Sequence, residues 1–448
     1  MIPASPVVTR FAPSPTGRLH VGNLRTALHN WLWAKKQGGR FLLRIDDTDA
    51  ARSEEGFVDA IRADLAWLGL TPDGEERQSA RFDRYEARFA ELAAAGRVYP
   101  AYETAQELDL KRKILLGRGL PPVYDRAALA LSDAERARLE ADGVTPHWRF
   151  RLDHDAPIVW DDLIRGPQRF DPATMSDPVV RRADGSWLYL LPSVIDDIDM
   201  GVTHVVRGED HVSNTATQVQ MFDALGAAPP AFAHEALLTG SEGKLSKRLG
   251  ALGCDHFRAE GVEPQAIVAL LARIGTSDPV EPLVDVAPLI DSFDFARVGR
   301  APARFDEAEL GAINARIIHQ LPFAAVAERL PAGIDAAAWD AIRPNLTTLA
   351  DAADWWAVVE GPIAPPALAD EDRTFLGHAA AAAESIDWTA NPWAALTSAL
   401  KAATGRKGRA LFLPLRQALT ARDHGPDMAA LLPLIGRERA IARLRSAS

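Results

Sequence analysis

Cysteine is almost missing from this chain: Cys254 is the only one in 448 residues. That excludes an internal disulfide and a zinc site built on several thiolates, and it fits a reducing compartment. The lone thiol reads as a small buried hydrophobe. Long apolar runs are lacking too, and the start MIPASPVVTR has no charged head followed by an apolar stretch, so neither export nor membrane insertion is expected and the expected location is cytoplasmic. Positive charge is in deficit, with 50 Lys and Arg against 61 Asp and Glu for a formal net charge of −11, which argues against indiscriminate polyanion binding. Local basic runs remain at Lys111-Arg112-Lys113, at Arg406-Lys407-Gly408-Arg409 and among Arg437, Arg439, Arg443 and Arg445. Such runs usually lie on solvated surface. No repeat of fixed period occurs, which excludes a solenoid.

What is present is an apolar share of 47%, enough for sizeable cores in roughly two to four domains. Val7 to Phe11 reads as a buried strand running into the turn Ala12-Pro13-Ser14-Pro15-Thr16-Gly17. Leu24, Ala27, Leu28, Trp31 and Leu32 recur at helical spacing up to Gly38-Gly39, and Phe41 to Ile45 reads as a second strand. This strand–helix–strand unit seeds a parallel sheet. Helical patterns follow over Phe57–Leu68 and Arg81–Ala95, a proline-marked stretch to about Asp184 reads as an insertion, and the strand signal returns at Val202–Arg207. Beyond about residue 256 helical patterns dominate, including Ala350–Val359 and Ala394–Ala403.

Two short segments suggest chemistry. His20-Val21-Gly22-Asn23 falls where a strand hands over to a helix, a place whose open N–H groups and dipole favour phosphate, with Gly22 allowing close approach. Lys244-Leu245-Ser246-Lys247-Arg248 follows a glycine-flanked turn and could neutralise charge growing on a phosphate. Taken singly, the first is an ordinary helix cap and the second an exposed basic turn.

Together, in this order and context, HVGN and KLSKR resemble the HIGH and KMSKS signatures of class I aminoacyl-tRNA synthetases. Thr9 to Gly17, Arg44-Ile45-Asp46-Asp47-Thr48-Asp49, Asp196 to His204 and Val206 to His211 are similar to the glutamyl/glutaminyl branch. The helical C-terminal third, with Arg343 to Asp351 and Gly408 to Thr420, resembles bacterial glutamyl enzymes; glutaminyl relatives carry a β-barrel there. The resemblance implies a Rossmann-like α/β catalytic domain (1–98 and 187–255) with an inserted α+β module for the acceptor stem (99–186). A stem-contact helical domain (256–325) and an all-helical anticodon-binding domain (326–448) would follow.

It further implies that ATP, with Mg²⁺, activates L-glutamate for transfer to tRNA(Glu), with tRNA(Gln) as a possible second acceptor and a monomer as the expected state. His20, Lys244 and Lys247 would be catalytic, with Gly22, Asn23, Glu209 and Leu238 joining His20 and Lys247 around ATP. Arg10, Ser14, Asp46, Tyr189 and Arg207 would hold glutamate, since two carboxylates and an ammonium call for planar cationic forks and an acid. Asp46 departs from the glutamate many relatives carry, and Ser193 stands where some have asparagine. Some relatives bind zinc through cysteines shortly after the position of Tyr99; here the stretch is Ala101-Tyr102-Glu103-Thr104, and His147 and His154 alone do not replace them, so no zinc is expected. The rival readings are a glutaminyl enzyme, a silent RNA-binding paralogue that keeps the fold, and an unrelated nucleotidyltransferase.

Overall fold

Val8–Phe11 (β1) is buried along its whole length, and helix α1, Val21–Lys36, packs its apolar stripe of Leu24, Ala27, Leu28 and Leu32 into the core. The helix stops where the spacing predicts. Gly38 adopts φ +60°, and a Cβ on Gly39 would lie 2.1 Å from the Val7 carbonyl oxygen, so only glycine lets the chain turn there into β2, Arg40–Ile45. This is a computed structural model describing residues 6–240 and 252–448. It divides into two compact units, one of Met1–His256, Ile267–Glu281 and Asp285–Asp306, the other of Phe257–Ala266, Pro282–Val284 and Glu307–Ser448.

In the first unit the chain continues through α2 (Glu55–Trp67), β3 (Gly74–Arg77), α3 (Phe82–Ala94), β4 (Val98–Ala101), α4 (Ala105–Gly117) and α5 (Asp133–Ala141). Strands β5 (His147–Phe150), β6 (Ile158–Asp162), β7 (Gly166–Phe170) and β8 (Val179–Arg181) come next, then α6 (Leu190–Asp199), β9 (His204–Gly208), α7 (Val212–Ala224) and β10 (Ala231–Glu235). The main sheet runs β3-β2-β1-β9-β10-β6-β7, parallel throughout except for the β6–β7 hairpin. Its order reverses between β1 and β9, one arm reaching β2 and β3 and the other β10 and β6. A ligand cleft is expected outside the carboxyl ends of the strands at such a switch point.

The stretch read as an insertion is not one separate layer. Its β5 and β8, with β4, form a small antiparallel sheet, whereas its β6 and β7 extend the main sheet beside β10. The proline-rich sequence of this region hides the pairing, because β6 finds its partner some seventy residues further on. In the stretch after Tyr99, Tyr102 donates to Glu140 at 2.7 Å, and Glu103 accepts from Tyr124 at 2.8 Å.

The second unit has no strand among its described residues. Helices Glu307–Ile318, Asp351–Glu360, Asp370–Ser385, Pro392–Thr404 and Arg409–Thr420 carry most of it. Its core includes Trp339, which is fully buried and donates to the Leu321 carbonyl at 2.9 Å. The Arg443 guanidinium donates to the carbonyls of Leu419, Val358 and Gly361 at 2.7, 2.7 and 2.8 Å, satisfying helix-end acceptors that would otherwise be orphaned.

Candidate functional site

A cavity of about 680 Å³ opens at the switch point. Arg10 from β1, Asp46 just past β2, Arg207 from β9, Ser14 from the first turn, Tyr189 before α6 and His20, Gly22 and Asn23 at the start of α1 all line it, with Leu238. Of the residues expected at the site, Glu209 is not in the lining; it takes Arg165 at 2.6 Å and the Leu237 N–H at 3.2 Å. Lys244 and Lys247 lie outside the described residues.

His20 is the N-cap of α1. Its Nδ1 accepts from the Gly22 N–H at 3.1 Å, and the Asn23 side chain answers by accepting from the His20 N–H at 3.3 Å. An accepting Nδ1 carries no proton, so the remaining proton sits on Nε2 as a donor. Burial lowers the imidazole pKa, which favours this neutral form. The expectation of open backbone donors is not met: the Val21 N–H goes to the Leu252 carbonyl at 3.0 Å and that of Gly22 to His20. What this helix start offers an anion is its dipole and the His20 Nε2–H. A Cβ on Gly22 would press the His20 ring at 3.0 Å, so glycine keeps the cap intact.

Opposite lies a dense set of charges. Arg44, fully buried on β2, grips Asp46 through Nε at 2.6 Å and Nη2 at 3.1 Å, Asp197 through Nη1 at 2.7 Å and the Ser193 hydroxyl through Nη2 at 2.9 Å. Arg10 shares Asp197 through Nε at 3.2 Å. Burial raises the pKa of the Asp46 carboxyl, and Arg44 reduces that rise without cancelling it; burial also works against the Arg44 charge, but Asp46 and Asp197 more than restore it. Asp196, next to Asp197 on α6, is taken up by Tyr85, Gln78 and Arg81 at 2.8, 2.9 and 2.6 Å.

Among the described residues, Arg207 has no carboxylate as a hydrogen-bond partner. Its Nη2 donates to Thr215 and, at 2.7 Å, to Gln218, and its Nε to His234 at 3.3 Å. Burial and then the like charge of Arg10 push its pKa down to about 10, still cationic near neutrality. Tyr189, pushed up to about 12 by burial, keeps its hydroxyl proton and stands 3.3 Å from His211 Nδ1.

Four buried guanidiniums, Arg10, Arg25, Arg44 and Arg207, line the cavity with the Asp46 carboxylate, while Asp197 sits behind the wall on Arg10 and Arg44, and Glu235 lies 3.9 Å from Arg25. Arg44 and Asp197 stand inside longer motifs, and the motifs do not single out their pairing. The available signal was a lone arginine in the apolar run Phe41-Leu42-Leu43-Arg44-Ile45 and an acid pair in the apolar helix α6, since buried charges persist only when paired. The basic runs are neutralised locally in part: Lys111 pairs with Asp125, Lys113 with Asp109, and Arg406 with Glu371 and Asp372.

The profile of tRNA synthetases class I (E and Q), catalytic domain, matches residues 6–312, and that of the anticodon binding domain matches residues 319–448. The chain is 73% identical over 442 residues to glutamate–tRNA ligase 1 of Rhizorhabdus wittichii, covering 99% of this chain and 100% of the relative. It is 71% identical over 437 residues to glutamate–tRNA ligase 1 of Novosphingobium aromaticivorans, covering 98% and 99%. A crystal structure of a glutamate tRNA ligase from Elizabethkingia meningosepticum, in complex with its amino acid, matches with a TM-score of 0.88 at 29% identity and 99% coverage of both chains. A Rossmann-like sheet with a charged cavity at its switch point, a separate helical unit and full-length relatives of one kind lead to one statement: the chain belongs to the class I tRNA synthetases of the E and Q branch, in the glutamate–tRNA ligase family.

Proposed function

We propose that this chain activates L-glutamate with ATP and transfers it to the terminal adenosine of tRNA(Glu). The observation that carries the reading is a pair of guanidiniums on the cavity wall: Arg207 has no carboxylate among its hydrogen-bond partners in the described residues and feels the like charge of Arg10, an arrangement that suits a ligand with two carboxylates, with Asp46 in the same wall for its ammonium. Arg10 and Arg207 hold the two carboxylates between them, Tyr189 adds a hydroxyl donor, Ser14 a polar contact and Asp46 receives the ammonium. Glutamine would set its amide NH₂ against guanidinium N–H groups, donor against donor, which gives the discrimination.

In the first step an α-carboxylate oxygen of glutamate attacks the α-phosphorus of ATP and pyrophosphate departs. In the second, a ribose hydroxyl of the terminal adenosine attacks the acyl carbon, its proton is lost and AMP departs. No protein nucleophile is needed. Catalysis rests on positioning and on charge stabilisation, with the His20 Nε2–H, Lys244 and Lys247 as donors to the phosphates and Gly22, Asn23 and the backbone near Glu209 and Leu238 around the nucleotide. Mg²⁺ travels with the triphosphate it neutralises; among the described residues no group of three or more His, Cys, Asp or Glu is placed to hold a metal.

The division into catalytic segments 1–98 and 187–255, acceptor-stem module 99–186, stem-contact domain 256–325 and anticodon-binding domain 326–448 belongs to the same proposal. The absence of any strand among the described residues of the second unit favours glutamate over glutamine as substrate within the branch. The test is aminoacylation of purified tRNA(Glu) and tRNA(Gln) with labelled glutamate and, separately, glutamine. Glutamate should be transferred to tRNA(Glu) and glutamine to neither; efficient transfer of glutamine would overturn the reading. Glutamate on tRNA(Gln) would define a wider acceptor range for the same chemistry.

A further inference from the structure

Arg207 is held from behind by a chain of groups that crosses three neighbouring strands. On β9 and β10, Arg207 and His234 are register partners, and β6, which pairs with β10 at Phe232↔Asp162, supplies Asp162. His234 Nε2 accepts the Arg207 Nε–H at 3.3 Å and stands 2.8 Å from the Thr215 hydroxyl, whose proton can go to the His211 carbonyl at 3.3 Å, while its Nδ1 meets Asp162 Oδ2 at 2.5 Å. Asp162 is itself fixed: its Oδ1 accepts the backbone N–H groups of Ile164, Arg165 and His234 at 3.1, 2.9 and 3.2 Å. His234 and Asp162 are both buried, and neither lines the cavity.

The proton positions follow from these partners. A carboxylate only accepts, so Nδ1 carries the proton and Nε2 is left as an acceptor for Arg207. A guanidinium has five N–H donors; Nε and Nη2 are engaged by His234, Thr215 and Gln218, and Nη1 has no hydrogen-bond partner among the described residues. One edge is anchored and the other is left toward the cavity. We propose that His234 and Asp162 are positioning residues for Arg207: the carboxylate fixes the imidazole tautomer, and the imidazole fixes the fork that captures a carboxylate of the amino acid. The burial-lowered pKa of His234 keeps the ring neutral, as this arrangement needs. Because Asp162 and Arg165 bracket the β6–β7 turn, and Arg165 pairs with Glu209 just after β9, this hairpin of the insertion takes part in setting the amino-acid site. The inference rests on the assignment of Arg207 to glutamate.

Asp162→Asn keeps the shape but inverts the chemistry. The amide can donate to Nδ1, which moves the proton to Nε2 and sets N–H against the N–H of Arg207. His234→Leu removes the acceptor, whereas His234→Gln supplies a carbonyl that can replace it. Aminoacylation kinetics of the full chain should show the KM for glutamate raised about tenfold in Asp162→Asn and His234→Leu, the scale of one lost hydrogen bond to a charged group. The KM for ATP should stay unchanged, and His234→Gln should recover most of the loss. An unchanged glutamate KM in Asp162→Asn, an equal rise for ATP, or a Gln variant as impaired as the Leu variant would each overturn the proposal. Arg207→Ala, measured alongside, separates the two levels. If it raises the glutamate KM while Asp162→Asn does not, the relay alone falls; if it spares glutamate capture, the assignment of Arg207 falls with it.

Discussion

Arg44 in the α/β unit and Arg443 in the helical unit are both buried, yet they are satisfied in opposite ways. Arg44 faces carboxylates and a hydroxyl from β2 and α6, segments about 150 residues apart in sequence. Among the described residues, Arg443 faces only backbone carbonyls. A guanidinium on carbonyls closes helix ends and has no edge reserved for a ligand. A guanidinium among carboxylates, beside two more on a cavity wall, sets a local charge that a ligand must match. The difference separates architecture from site without reference to any relative.

That contrast can be broken by mutation. Arg44→Ala should have the largest effect, leaving Asp46 and Asp197 buried without their common partner; a loss of about 3–5 kcal/mol is expected for a broken buried pair, read by denaturant unfolding, together with loss of glutamate-dependent activity. Arg443→Ala should cost less, about 2 kcal/mol for hydrogen bonds from a charged group, and should leave the KM for glutamate where it was. A shifted glutamate KM in that variant would erase the distinction. Arg445→Ala, at an exposed pair with Glu384, should change stability by no more than about 0.5 kcal/mol and activity not at all.

Much of this was legible in the residues. The β1–α1–β2 seed, the end of α1 at Gly38-Gly39 and helices such as Asp351–Glu360 and Pro392–Thr404 follow from local periodicity and glycine geometry, signals that do not depend on distant partners. Arg10, Asp46, Tyr189 and Arg207 could be named because motifs marked them, and they line one cavity with His20. What stayed hidden needed pairing across the sheet. Strand β6 joins β10 rather than the module around it, Asp197 serves two arginines at once, and the start of α1 hands its first N–H to Leu252 rather than leaving it open. None of these has a local sequence signature, since each depends on which distant segment becomes a neighbour.

The central claim is that the buried guanidiniums of Arg10 on β1 and Arg207 on β9 are built for the amino acid and not for the nucleotide. Steady-state aminoacylation by Arg10→Ala, with glutamate and ATP varied in turn, tests it directly. The account predicts that the KM for glutamate rises on the order of a hundredfold, as for truncating one member of a buried charge pair, while the KM for ATP stays near that of the unmodified chain. A parallel rise in both, or a rise for ATP alone, would contradict it.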